Sequence, residues 1–145
     1  MAGSRKIARE FTLQGAYAWL VGGADVTLIA ANLKEDEQFQ RADEAYFRTL
    51  LHGVLKEEDM LSSRITPLLD RPLAELSPIE RGILLIGAYE LLHCPDVPWR
   101  VVINEGVELA KKFGGTDGHK YINGVLDKLA QDVRAVEIEH AKKRG

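Results

Sequence analysis

Between Val102 and Val133 the apolar residues recur at three- and four-residue intervals, break once at a polar, glycine-rich turn, and then resume. Val102, Ile103, Val107, Ala110 and Phe113 form the first stripe, with Glu105, Glu108, Lys111 and Lys112 mostly on the other side. Tyr121, Ile122, Val125, Leu126, Leu129 and Val133 form the second. A period near 3.6 is that of an amphipathic α-helix, so the segment reads as two helices folded back on a turn carrying Asp117, His119 and Lys120. Pro98 suits the first turn of the leading helix, where a missing N–H is harmless. Gly114-Gly115 are expected to end it in the left-handed conformation, and Thr116 or Asp117 to cap the next helix.

The rest of the chain obeys the same period. Ile7, Phe11, Gly15 and Ala18 form a stripe through a first helix from Ser4 to Leu20, stopped by Gly22-Gly23. Asp25 can cap a short helix through Leu33, and the polar run Lys34 to Arg41 reads as a loop. A third helix follows Asp43, with Tyr46, Phe47, Leu50, Leu51, Val54 and Leu55 inward. Leu61, Ile65, Leu68 and Leu69 mark a fourth, which Pro67 must end or kink. The strongest start signal is Ser77-Pro-Ile-Glu80, a capping box with proline at the first position. The helix it opens is apolar nearly all round and should lie at the centre of the core, with Gly82 and Gly87 allowing close packing. No alternating segment competes. The expected fold is all-α, about seven helices in two packed helical subdomains, within a single domain spanning residues 1–145. An N-terminal half of about 1–70 and a C-terminal half of about 77–140 meet at the seam Arg71 to Leu76.

A chain of 145 residues can bury a sufficient core without covalent staples. Its one cysteine, Cys94, excludes an internal disulfide framework and a cysteine-based zinc cluster. The charged N-terminus is not followed by the apolar stretch of a secretory signal, and the longest apolar run, Ile83 to Leu92, falls well short of the ~20 residues of a membrane helix. A cytoplasmic protein is expected, with no membrane association. Nineteen basic and 22 acidic residues leave a net charge of -3, which argues against indiscriminate nucleic-acid binding. Their distribution is uneven. The first nine residues carry Arg5, Lys6 and Arg9 and no acid, whereas residues 34–59 carry eight acids against four bases. Lys142-Lys143-Arg144 reads as a solvated end.

Catalytic chemistry is missing from this pattern. His52, His93, His119 and His140 are scattered without metal-ligand spacing, so no metal is expected. Gly114 to Lys120 resembles a phosphate loop only superficially: no strand precedes it, His119 interrupts the Gly-Lys pair, and Asp117 would repel phosphate. No serine or cysteine sits in a nucleophile elbow, and Glu105 with Glu108 reads as a solvated helix face. No catalytic residue and no cofactor are expected. Arg5 and Arg9, four residues apart with Lys6 adjacent, can instead follow a phosphate backbone, and Tyr17 further along offers a ring to a nucleobase. The alternative is ordinary solvated charge and a core-edge aromatic.

Three segments, in order and at this spacing, resemble the NusB family of bacterial transcription antitermination factors over nearly the whole chain. They are Arg5-Lys-Ile-Ala-Arg-Glu-Phe-Thr-Leu-Gln-Gly-Ala-Tyr17, Ser77-Pro-Ile-Glu-Arg-Gly-Ile-Leu-Leu-Ile-Gly-Ala-Tyr-Glu-Leu91, and the helical pair with Ile103-Asn-Glu, Glu108-Leu-Ala-Lys, Phe113-Gly and Asn123-Gly-Val-Leu-Asp127. The resemblance implies an all-α, non-catalytic protein that binds single-stranded boxA RNA with the ribosomal protein NusE and joins other Nus factors on RNA polymerase during ribosomal RNA transcription. It implies RNA-binding roles for Arg5, Lys6, Arg9 and Tyr17, and for Asp117, Lys120 and Tyr121 near the same surface; Glu80 matches a position near the NusE side, although capping explains it equally. Ile7 and Leu85 stand where relatives carry arginine, which removes positive charge. Asn104, Glu105 and Asn123 read as packing and turn residues rather than as chemistry.

Two other readings compete. Similar helical domains precede the catalytic domain of some ribosomal RNA methyltransferases, against which stands the Lys-Lys-Arg-Gly end with no glycine-rich cofactor loop. A purely structural helical partner protein would bury the first helix in a homodimer, a state the sequence neither requires nor forbids.

Overall fold

The computed structural model describes residues 3–115 and 117–144. Eight α-helices account for most of them: α1 Arg5–Gly22, α2 Val26–Lys34, α3 Glu44–Lys56, α4 Glu58–Ile65, α5 Pro78–His93, α6 Trp99–Phe113, α7 Gly118–Val133 and α8 Ala135–Arg144. The all-α expectation holds. The chain forms two compact units, one up to Glu58 and one from Asp59 on. That division falls a dozen residues before the Arg71 to Leu76 seam, because α4 belongs with the helices that follow it.

In the first unit α1 packs on α3 and α2. Ser4 caps α1, its Oγ accepting the Ile7 N–H at 3.0 Å, and Gly23 ends it with φ 66°, a left-handed conformation open to glycine. Asp25 caps α2 as expected, and Asp43, expected only to precede the third helix, caps α3. The run Lys34 to Arg41 is not an open loop. Glu37–Arg41 form a 3-10 turn that buries Phe39 edge-on between Phe11 and Phe47, with ring centroids 5.2 and 5.0 Å apart. The polar residues on either side concealed that one aromatic.

In the second unit Pro67 ends α4, since the chain passes into a 3-10 turn at Thr66–Leu68. The capping box of α5 forms in full: Ser77 Oγ accepts the Glu80 N–H at 3.1 Å and Glu80 Oε1 accepts the Ser77 N–H at 3.3 Å. Helix α5 packs against both α6 and α7, which pack against each other. Ile83, Leu84, Leu85 and Ile86 are all essentially inaccessible. Leu126 of α7 plugs the space between two glycines: a Cβ on Gly87 or Gly106 would come within 2.7 or 2.8 Å of its methyl groups. The close packing expected at Gly87 is therefore present, and Gly106 repeats it on α6.

Two local expectations fail. Gly114 is extended (φ -98°, ψ -173°), and among the described residues Gly23 is the only one with positive φ. Glycine is needed at 114 because a Cβ there would sit 2.8 Å from the Ala110 carbonyl oxygen. Asp117 occupies the cap position of α7 but makes no capping hydrogen bond, its backbone being bridge-like rather than extended (φ -109°, ψ 4°); Thr116, the other candidate, lies outside the described residues.

Beyond Val133 the chain is helical again, and its first residues organise the end of the core. Arg134 is buried, and its guanidinium donates to the carbonyls of Glu90, Leu91, Cys94 and Val97 at 2.8–3.1 Å. The Glu90 and Cys94 carbonyls already accept the Cys94 and Val97 N–H groups, whereas the Leu91 carbonyl is one of those a helix end leaves without an intrahelical donor, and a cation at a C-terminus also suits the helix dipole. Arg134 also pairs with Glu137, whose other oxygen accepts the Trp99 N–H at 3.1 Å. Pro98 offers no side-chain cap to α6, so a carboxylate from α8 does that work.

Candidate functional site

The residues expected to carry function fall into two groups, one in each unit. In the first, the start of α1 is fastened to the start of α3 through its backbone: the Ser4 N–H donates to the Arg41 carbonyl (2.8 Å) and the Asp43 N–H donates to the Ser4 carbonyl (3.0 Å). This brings Arg5 to the N-terminus of α3. Its guanidinium lies over the Tyr46 ring, 4.2 Å from the centroid, and its Nε is 4.0 Å from Asp43 Oδ2. Arg9, one turn on, lies over the same ring at 5.5 Å.

Arg9 is not the solvated cation that its spacing implied. It is 5% exposed, whereas the Arg5 side chain is 44% exposed. An arginine stem packs like an apolar chain, and the ring lets its head be buried as well. Lys6 is exposed. Tyr17 is exposed on α1, about 12 Å along the axis from Arg9 and about 18 Å from Arg5. Tyr46 and Asp43 were read only as a core residue and the residue preceding the third helix; no sequence signal says that they face Arg5.

The second group gathers where α5 and α7 begin. Glu80 Oε2 lies 3.5 Å from where a Cβ on Gly118 would stand. Tyr121 is half-buried, with the Arg71 guanidinium over its ring at 4.6 Å. Arg71 also holds Asp70, Nε to Oδ1 at 2.8 Å. That bond lowers the Asp70 pKa and raises that of Arg71. Burial raises the phenol pKa of Tyr121, and the Asp70 carboxylate adds to it. Its hydroxyl meets no hydrogen-bond partner among the described residues. Asp117 and Lys120 are both exposed at the same helix start. Asp70, Glu80 and Asp117 with Arg71, Arg81 and Lys120 make a mixed patch of balanced charge. Asp70 and Arg71 carry no functional signal in the sequence, since they lie in a leucine-rich connecting segment.

Asn104 and Asn123, expected as packing residues, are exposed instead and line an open groove with Trp99, Arg100 and Asp127. Leu85 is fully buried, so its lack of charge cannot subtract from an exposed cationic surface. Among the described residues no group of three or more His, Cys, Asp or Glu is placed to hold a metal ion, and no helix is long and apolar enough to cross a membrane.

Residues 6–131 match the NusB family. The chain is 92% identical to the transcription antitermination protein NusB of Thiobacillus denitrificans, over 99% of each. It is 58% identical to that of Bordetella pertussis, over 97% of this chain and 94% of the relative. Among solved structures it is similar to T. maritima NusB, with a TM-score of 0.79 and 27% identity over 91% of this chain and 94% of that one. It is also similar to a chain from a crystal structure of the antitermination factors NusB and NusE in complex with dsRNA, with a TM-score of 0.76 and 25% identity over 88% and 96%. With its helices in the expected order, its core glycines interlocked and near-complete coverage by close relatives that are transcription antitermination proteins, the chain belongs to the NusB family.

Proposed function

We propose that this chain binds boxA-type RNA through the cationic start of α1, together with the ribosomal protein NusE, and acts in the cytoplasm as an antitermination factor within the Nus assembly on RNA polymerase. The observation that carries the RNA site is the Arg5, Lys6, Arg9 cluster, three bases within five residues and no acid among the first nine, fastened by backbone hydrogen bonds to the start of α3. A solved relative of the same fold, crystallised with NusE and dsRNA, supports both partners. Tyr17 is proposed to stack on a base. Lys120 and Tyr121 are proposed to border the RNA path, with Asp117 opposing phosphate there. Glu80, at the start of α5, is proposed to face NusE from this mixed patch, where charges of both signs can pair with a protein partner.

The test is a titration of labelled boxA-type RNA, single-stranded and duplex, with and without NusE. Arg5→Ala/Lys6→Ala should weaken binding in both conditions while leaving helicity intact; unchanged affinity would overturn the site. Two exposed cations on a single strand imply a log-log salt slope near about -1.4, so binding by the chain alone should be weak and NusE should strengthen it. Asp117→Asn should leave affinity equal or higher, since it makes no cap to lose. A marked loss without unfolding would mean that Asp117 donates a needed contact.

A further inference from the structure

We infer that Tyr46 is a positioning residue for RNA binding: its ring, shared with the buried Arg9, holds Arg5 as the outward cation that meets phosphate. The inference rests on the RNA reading above and divides the basic cluster into parts. Arg5 and Arg9 stand one helical turn apart, where like charges repel. The structure sets both guanidinium groups over one aromatic ring, at 4.2 and 5.5 Å. The electron-rich face of the ring offsets that repulsion. Asp43 contributes from the side. One carboxylate oxygen accepts the Tyr46 N–H at 3.0 Å and caps α3, while the other faces Arg5 at 4.0 Å.

The two arginines therefore differ in role. Arg9 is 5% exposed and cannot release counterions from a phosphate chain as a surface cation does; its head lies buried 5.5 Å from the ring centroid. Arg5 is accessible, yet its long side chain is confined by ring, carboxylate and the backbone stitch at Ser4. Immobilising a side chain before binding removes an ordering cost that binding would otherwise bear. Gly3 belongs to the same device: a Cβ there would collide with the Ala42 carbonyl and push the stitch apart.

The experiment measures boxA-type RNA binding to the full chain with NusE present, at several salt concentrations, for wild type, Tyr46→Phe, Tyr46→Leu, Arg9→Ala and Arg5→Ala, with helicity checked by circular dichroism. Tyr46→Phe keeps the ring face and should bind as wild type. Tyr46→Leu and Arg9→Ala should each weaken binding about two- to five-fold with the salt slope unchanged, because Arg5 keeps its charge but loses its brace. Arg5→Ala should weaken binding and reduce the slope by about 0.7. If Tyr46→Leu is folded and binds as wild type while Arg5→Ala is weakened, the positioning role is overturned and the RNA site survives. If Arg5→Ala changes neither affinity nor slope, the RNA reading itself has failed. A direct measurement on wild type needs no variant to fold: the Arg5 side-chain protons should show an upfield ring-current shift by NMR, and their absence from the shielded region would overturn the proposal.

Discussion

Arg134 shows how much one side chain can decide. It satisfies four carbonyls around the end of α5 and pairs with Glu137, which in turn caps α6. Replacing it by methionine keeps volume but strands buried acceptors, and should cost about 3 kcal/mol in chemical denaturation. Ser77→Ala, at a solvent-exposed cap, should cost only about 1 kcal/mol by the same measurement. Tyr121 makes a prediction in pH. Its folded pKa is raised above the usual 10.0, mainly by burial, so its contribution to stability is fully present below pH 10 and is lost as pH rises through the higher folded value. Absorbance titration near 295 nm should show a phenol step above pH 10 that Tyr121→Phe removes.

Among the elements, α5 and α8 are opposites. Helix α5 has a capping box at one end, Arg134 at the other and apolar residues nearly all round, so its mid-helix amides should exchange with solvent most slowly in the molecule. Helix α8 buries only Ile138 and leaves Val136 86% exposed, so its amides should exchange early. The packing of α5, α6 and α7 turns on Leu126 lying between Gly87 and Gly106. Gly106→Ala should destabilise by about 1–3 kcal/mol through overpacking, and Leu126→Ala by about 2–5 kcal/mol through the cavity it leaves. Both are readable as shifts in denaturation midpoint with an unchanged m-value.

For the whole molecule, a net charge of -3 sets the balance between specific and non-specific binding. With the proposed RNA site confined to one helix start and the rest of the chain acidic on balance, an unrelated RNA of equal length should compete poorly at physiological salt. Helix order, the capping box and the central apolar helix were legible in the residues, because period and caps are local properties with local causes, whereas the class of function came from the resemblance to the NusB family. Where the chain was misread, the cause was a contact distant in sequence. Phe39 sits in a polar run yet is drawn inward by Phe11 and Phe47, and Arg134, which no local pattern singled out, is buried because it meets the end of α5. Arg9 shared a spacing with Arg5, but only the packing of α1 on α3 set it beneath the Tyr46 ring and left Arg5 outside. Local sequence chose helices and cations; which cation faces solvent was decided by the neighbour that α1 packs against, since burial depends on contacts that periodicity does not encode.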